Sequence, residues 1–139
     1  MANEQMAVVA SVASIVVGFG ATILVFRIQR ELEMQEREEV IWIARADWLV
    51  IIATTIAGFA GLILPLSIPW LQCTQLPAAA CASAVALLIG YVFAILAHYR
   101  LVFGRTRSGP RENPEPAERV LFWGFIAIAV VVFIVSFTA

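Results

Sequence analysis

His98 is the only histidine of the chain, and imidazole is the side chain best suited to exchange a proton near neutral pH. Alone, it offers no bis-histidine ligation of haem, and a metal would need carboxylates or another subunit beside it. Followed by Tyr99 and Arg100, it reads as an interfacial polar residue closing an apolar span. Cys73 and Cys81 lie close in sequence. In an oxidising compartment they could form a disulfide; otherwise they are two small apolar residues beside a tight turn. Glu31, Glu33, Glu36, Glu38 and Glu39 could gather a cation, but Arg30 and Arg37 are interleaved among them. Spacings such as Glu33 to Arg37 favour ion pairs along one helix instead. Arg105-Thr-Arg-Ser108 is a basophilic phosphorylation context, a pattern too short to carry a function. No nucleophile elbow, phosphate loop or pair of catalytic carboxylates is present. The expectation is a non-enzyme with no catalytic residue, cofactor, metal site or nucleic-acid partner.

The elements that carry these residues are dictated by charge. The chain is 62% hydrophobic and 14% charged over 139 residues, too apolar for a soluble domain to cover. Runs without charge extend from Gln5 to Phe26 and from Trp48 to Tyr99, against the ~20 apolar residues that cross a bilayer as a helix. The start of the chain lacks a basic n-region and its apolar run is too long for a signal peptide, so the first span is expected to be retained. The expected fold is an all-α integral membrane protein. It is a single membrane domain, 1–139, with four transmembrane helices, at about 6–27, 47–68, 77–98 and 118–138. Loops 28–46 and 99–117 connect them on one side.

Small residues recur every fourth position in three spans, where a neighbouring backbone can approach closely. The first carries Ala10, Ser14, Gly18 and Thr22. The second carries Ala53, Ala57 and Gly61, with Asp47 as its expected N-cap and a kink expected at Pro65. The third carries Ala78, Ala82, Ala86, Gly90 and Ala94. The fourth, rich in Val, Ile and Phe, has no long stripe and is expected at the periphery. Packing is assigned to Ala53, Ala57, Gly61, Ala82, Ala86, Gly90 and Ala94.

Between the first two spans, Ala21 to Ala57 contains no Gly, Pro, Asn or Ser to mark a turn. The second span must nevertheless begin where the first ends, so residues 28–46 are expected to fold as an extended helical hairpin turning near Glu36 to Glu39. An interfacial helix dipping Ile41, Trp42 and Ile43 into the membrane is the alternative.

All nine basic residues are arginines, and all fall within 27–47 and 99–119. The positive-inside rule then puts both loops in the cytoplasm and both termini outside, in a plasma or bacterial inner membrane. No charge lies within the hydrocarbon, as a proton relay or coupled transporter would require. Two classes of function fit. In one, the chain is a homo-oligomeric, cation-conducting channel lined by the first span. Glu4 stands at the outer mouth, Ser11, Ser14, Val17, Gly18 and Thr22 form the throat, and Arg27 and Arg30 lie inside. In the other, it is a non-catalytic subunit that anchors or assembles a membrane complex, docking a protein partner through the 27–47 hairpin. The expected partners are thus the lipid bilayer, further copies of the chain, and a protein at the hairpin.

Overall fold

The computed structural model describes residues 2–38, 44–99 and 116–139. Every element among them is helical and no strand occurs among the described residues. Four helices are long and apolar enough to cross a membrane. Helix α1 is Ala2–Glu38, α2 is Ala46–Ser67, α3 is Leu76–His98 and α4 is Pro116–Thr138.

The α1 helix does not end with its apolar run. Its 37 residues give a rod of ~55 Å, almost twice the thickness of a bilayer core. Of the hairpin expected over 28–46, the helix is described to Glu38. The remainder of the turn and most of its return arm fall on residues 39–43, which lie outside the described residues. The chain re-enters helix through i→i+3 bonds from the Asp47 and Trp48 amides to the carbonyls of Ala44 and Arg45.

The α2 helix is interrupted where the sequence demands it. Pro65 has no amide to donate to Gly61, and the turn just before it, Phe59–Ile63, opens into a π-helix. The Leu64 amide accordingly bonds the carbonyl of Phe59, five residues back. A short 3₁₀ turn, Pro69–Cys73, then leads to α3, which starts with Pro77 in its first turn.

The α3 helix is the centre of the bundle, with α4 on one side and α2 on the other, while α1 leans mainly on α2. Its buried residues extend around much of its circumference and are mostly small: Ala79, Ala80, Ser83, Ala84, Gly90, Ala94 and Ala97. Of its expected stripe, Gly90 and Ala94 are buried and Ala78, Ala82 and Ala86 half-buried; on α2, Ala53, Ala57 and Gly61 are all buried.

Three glycines mark the closest approaches. A Cβ on Gly20 would run into the Thr54 side chain, one on Gly90 into the Phe125 ring, and one on Gly61 would lie 2.8 Å from the Cys81 sulfur. In each case the missing side chain lets two helices close. The outer surfaces of α1 and α4 are apolar and uncovered: Ile15 and Phe19 on one, Val120, Trp123 and Val135 on the other, are all at least 60% exposed. On α4, only Glu118 and Ala129 are buried.

Candidate functional site at the charged end of the bundle

At one end of the bundle, side chains from all four helices form two adjoining polar clasps. The first is built on Arg27, a residue only 7% exposed. It forks onto Asp47, with Nε donating to Oδ1 at 3.1 Å and Nη2 to Oδ2 at 3.4 Å. Its Nη1 also pairs with Glu31 one turn along α1 at 2.8 Å and donates to the Tyr99 hydroxyl. Arg30, the next turn on α1, lies over the Tyr99 ring 5.0 Å from its centroid, a cation–π contact. One arginine thus ties α1 to the start of α2 and to the residue that follows α3.

The second clasp is more deeply buried. His98, the last residue of α3, is 1% exposed, and Glu118, in the first turn of α4, is fully buried. The ring nitrogen Nδ1 of His98 lies 2.9 Å from Oε2 of Glu118. The other carboxyl oxygen, Oε1, accepts the backbone N–H of Ala46 at 2.9 Å. In the tautomer that carries its proton on Nδ1, the ring donates to Oε2 and the carboxylate accepts on both oxygens. A buried carboxylate is costly alone and is tolerated when its lone pairs are filled, and here two are filled from two different helices.

The two clasps interlock because their members are chain neighbours: Ala46 with Asp47, and His98 with Tyr99. The Tyr99 ring also meets the His98 ring edge-on at 5.0 Å. The first turn of α2 is therefore capped from outside. Asp47, the expected N-cap, is instead within the helix, which begins at Ala46 after Arg45 with no side-chain cap of its own. The carboxylate of Asp47 is drawn to Arg27, and Glu118 supplies the acceptor that the free amide requires.

At 1% exposure His98 is enclosed between the helices that it joins. The arrangement is a tie between helices.

The residues expected to act as a pore divide between two surroundings. Glu4, Ser11, Ser14, Gly18, Thr22 and Arg30 are exposed and Val17 is half-buried, while Arg27 belongs to the clasp. The hydroxyls of Ser11 and Thr22 bond the carbonyls of Ala7 and Gly18, each at 2.8 Å. Cys73 and Cys81 are free thiols; Cys73 is exposed, and Cys81 is buried with its sulfur 3.6 Å from the Val9 carbonyl. The role of Glu118 was not legible in the sequence beyond its place at a helix start. The signal lay in the pairing of the single histidine with an acidic residue in the first turn of α4, and only folding brings them together.

No family model matches the chain, and comparisons with curated proteins and with solved structures find no similar one.

Proposed function

We propose that the chain is an integral membrane protein whose task is assembly. Its four helices stand in the bilayer, both arginine-rich stretches face the cytoplasm, and both termini lie outside. Further copies pack along the outer face of α1, while the extension of α1 towards Glu38 serves as a cytoplasmic docking arm for a protein partner. The charge distribution supports the orientation, and the apolar exteriors of α1 and α4 support insertion.

One observation carries the assembly reading. Gly18 is exposed and would meet nothing within 4 Å if it bore a Cβ, whereas Gly20 is held tightly against α2. Gly18 lies on the exposed stripe with Ser14 and Thr22, small residues that no described part of the chain covers. Packing is the main attraction between helices in lipid, so such a stripe suits a helix from outside the monomer. The native mass of the protein after mild detergent extraction tests this. Multiples of the chain mass, reduced to the monomer by Gly18→Leu, are expected; a wild-type monomer without any partner would refute it. Cysteine labelling at Glu36 from the cytoplasmic side and at Ala2 from outside tests the orientation.

A homo-oligomeric channel is the second reading, favoured by a shared face. At 100° per residue, Glu4, Ser11, Ser14, Gly18 and Thr22 fall within an arc of about 80° on α1. The assembly reading ranks first because the Ser11 and Thr22 hydroxyls are satisfied within α1 and Arg27 is turned off that face. Discrete currents in planar bilayers, with cation preference lowered by Glu4→Gln, would reverse the ranking.

A further inference from the structure

Arg45 and Arg119 are two arginines of the charged end that the clasps do not use. Among the described residues neither makes an ion pair, and the nearby carboxylates are committed: Asp47 to Arg27, Glu118 to Ala46 and His98. Arg45 and Arg119 line one open recess, together with Pro116, Val120 and Trp123, between the start of α2 and the start of α4.

The same two helices frame a second cavity further along. The α2 and α4 helices are joined at Ala46 and Glu118 but pack little along their lengths, leaving a crevice of about 220 Å³. Ile52, Ile56, Leu87, Ile126, Val130 and Phe133 line it, with α3 as its floor. The single hydroxyl there, that of Ser83, is already bonded to the Ala80 carbonyl at 2.9 Å. An apolar cavity with no polar demand takes an apolar guest in preference to water.

The recess and the crevice lie in line. On α4, Arg119, Trp123, Ile126, Val130 and Phe133 follow one another at steps of four and three, a single helical stripe. On α2, Arg45 has helical φ and ψ, and steps of seven and four lead from it to Ile52 and Ile56. From Arg119 to Phe133 the stripe descends ~21 Å, against ~15 Å for half of a bilayer's hydrocarbon core. Two cations, an indole at the boundary and an apolar groove beneath them follow the outline of a phospholipid.

We infer that this face holds one anionic phospholipid of the cytoplasmic leaflet, its phosphate between Arg45 and Arg119 and an acyl chain in the α2–α4 crevice. The inference rests on the membrane reading above. Basic recesses between helices on the cytoplasmic side are suited to anionic headgroups, and the order of charge, indole and hydrocarbon fixes which end enters the groove.

The test uses the full chain with Trp42, Trp48 and Trp70 changed to Phe, so that Trp123 alone reports. It is reconstituted into phosphatidylcholine vesicles containing a small fraction of either phosphatidylglycerol or phosphatidylcholine with brominated acyl chains. Brominated phosphatidylglycerol should quench Trp123 well beyond the brominated phosphatidylcholine control. The double variant R45Q/R119Q should weaken that preference about thirtyfold, while R45K/R119K retains it. Val130→Phe, at a half-exposed position, should reduce occupancy by filling the crevice without removing the headgroup preference. Excess inorganic phosphate should not displace the lipid; displacement would reveal a site for free anions and overturn the inference. Equal quenching by the two lipids, or indifference to R45Q/R119Q, would also overturn it. Flotation of the same samples separates the causes: a protein that does not float with the vesicles refutes the membrane reading itself, whereas one that floats and is quenched equally refutes only the lipid site.

Discussion

Glu118 and Ala46 stand 72 residues apart in the chain, and the side chain of one caps the helix begun by the other. The same carboxyl holds His98, so a single group joins the beginnings of α2 and α4 to the end of α3. Replacing Glu118 by Ala strips two buried donors of their acceptor at once. A cost of about 3–5 kcal/mol is expected, seen as a lower midpoint of thermal unfolding in detergent. Glu118→Gln keeps an oxygen for the Ala46 amide and should lose less. Wild-type stability in Glu118→Ala would show that the buried pair is not a tie.

Gly18 and Gly20 lie two residues apart on opposite faces of α1 and should answer substitution in opposite ways. Gly20→Leu drives a side chain into Thr54 and Val50 and should destabilise the monomer by about 1–3 kcal/mol or more. Gly18→Leu should leave monomer unfolding unchanged and diminish only the assembled mass. Equal effects of both on unfolding would place Gly18 inside the monomer fold.

The contact of α3 with α4 is set by Gly90 lying under Phe125, whose ring stacks on Phe93 at 5.9 Å between centroids. Gly90→Leu is expected to force these helices apart, and Phe125→Ala added to it should recover part of the loss. The two changes should therefore be non-additive, with a coupling of about 0.5–3 kcal/mol. Val131→Leu, on the uncovered face of α4, should stay within about 0.5 kcal/mol of wild type. Chemical unfolding of wild type, Gly90→Leu, Phe125→Ala, the double variant and Val131→Leu side by side checks both statements.

Arg27 and Asp47 invite a double-mutant cycle. The pair is forked and largely shielded on the arginine side, and it connects α1 to α2. Arg27→Gln and Asp47→Asn should each destabilise, and the double variant should lose less than their sum. A coupling near zero would mean that Glu31 and Tyr99 alone retain the guanidinium.

The four helices were readable in the sequence because length and the absence of charge determine them locally. So was the weak burial of α4, whose Val, Ile and Phe leave no narrow face for a neighbour. Ala53, Ala57 and Gly90 were legible as close-packing positions from their size and spacing. What spacing cannot say is which of two small-residue faces a helix turns inward. On α1 the bundle takes Val9, Ala13, Val16 and Gly20, and leaves Ser14, Gly18 and Thr22 outside. The clasps were invisible for a different reason. They join residues far apart in the chain, and Asp47, a plain helix-start residue by sequence, is diverted by an arginine 20 positions earlier.

The wide turn at Phe59–Ile63 also corrects a phase. A regular α-helix advances ~40° for every four residues, so a row spaced by four winds off its interface within three steps. Yet Ala53, Ala57, Gly61 and Pro65 are all buried, because the turn that carries Gly61 holds one more residue than an α-turn and absorbs the accumulated rotation. The proline and the integer repeat are thus matched to each other. Deleting Ala60 would remove the extra residue and restore an ordinary helix with everything beyond it, Trp70 included, left in phase, whereas closing the turn with the residue retained would swing that segment by ~100° around the axis of α2.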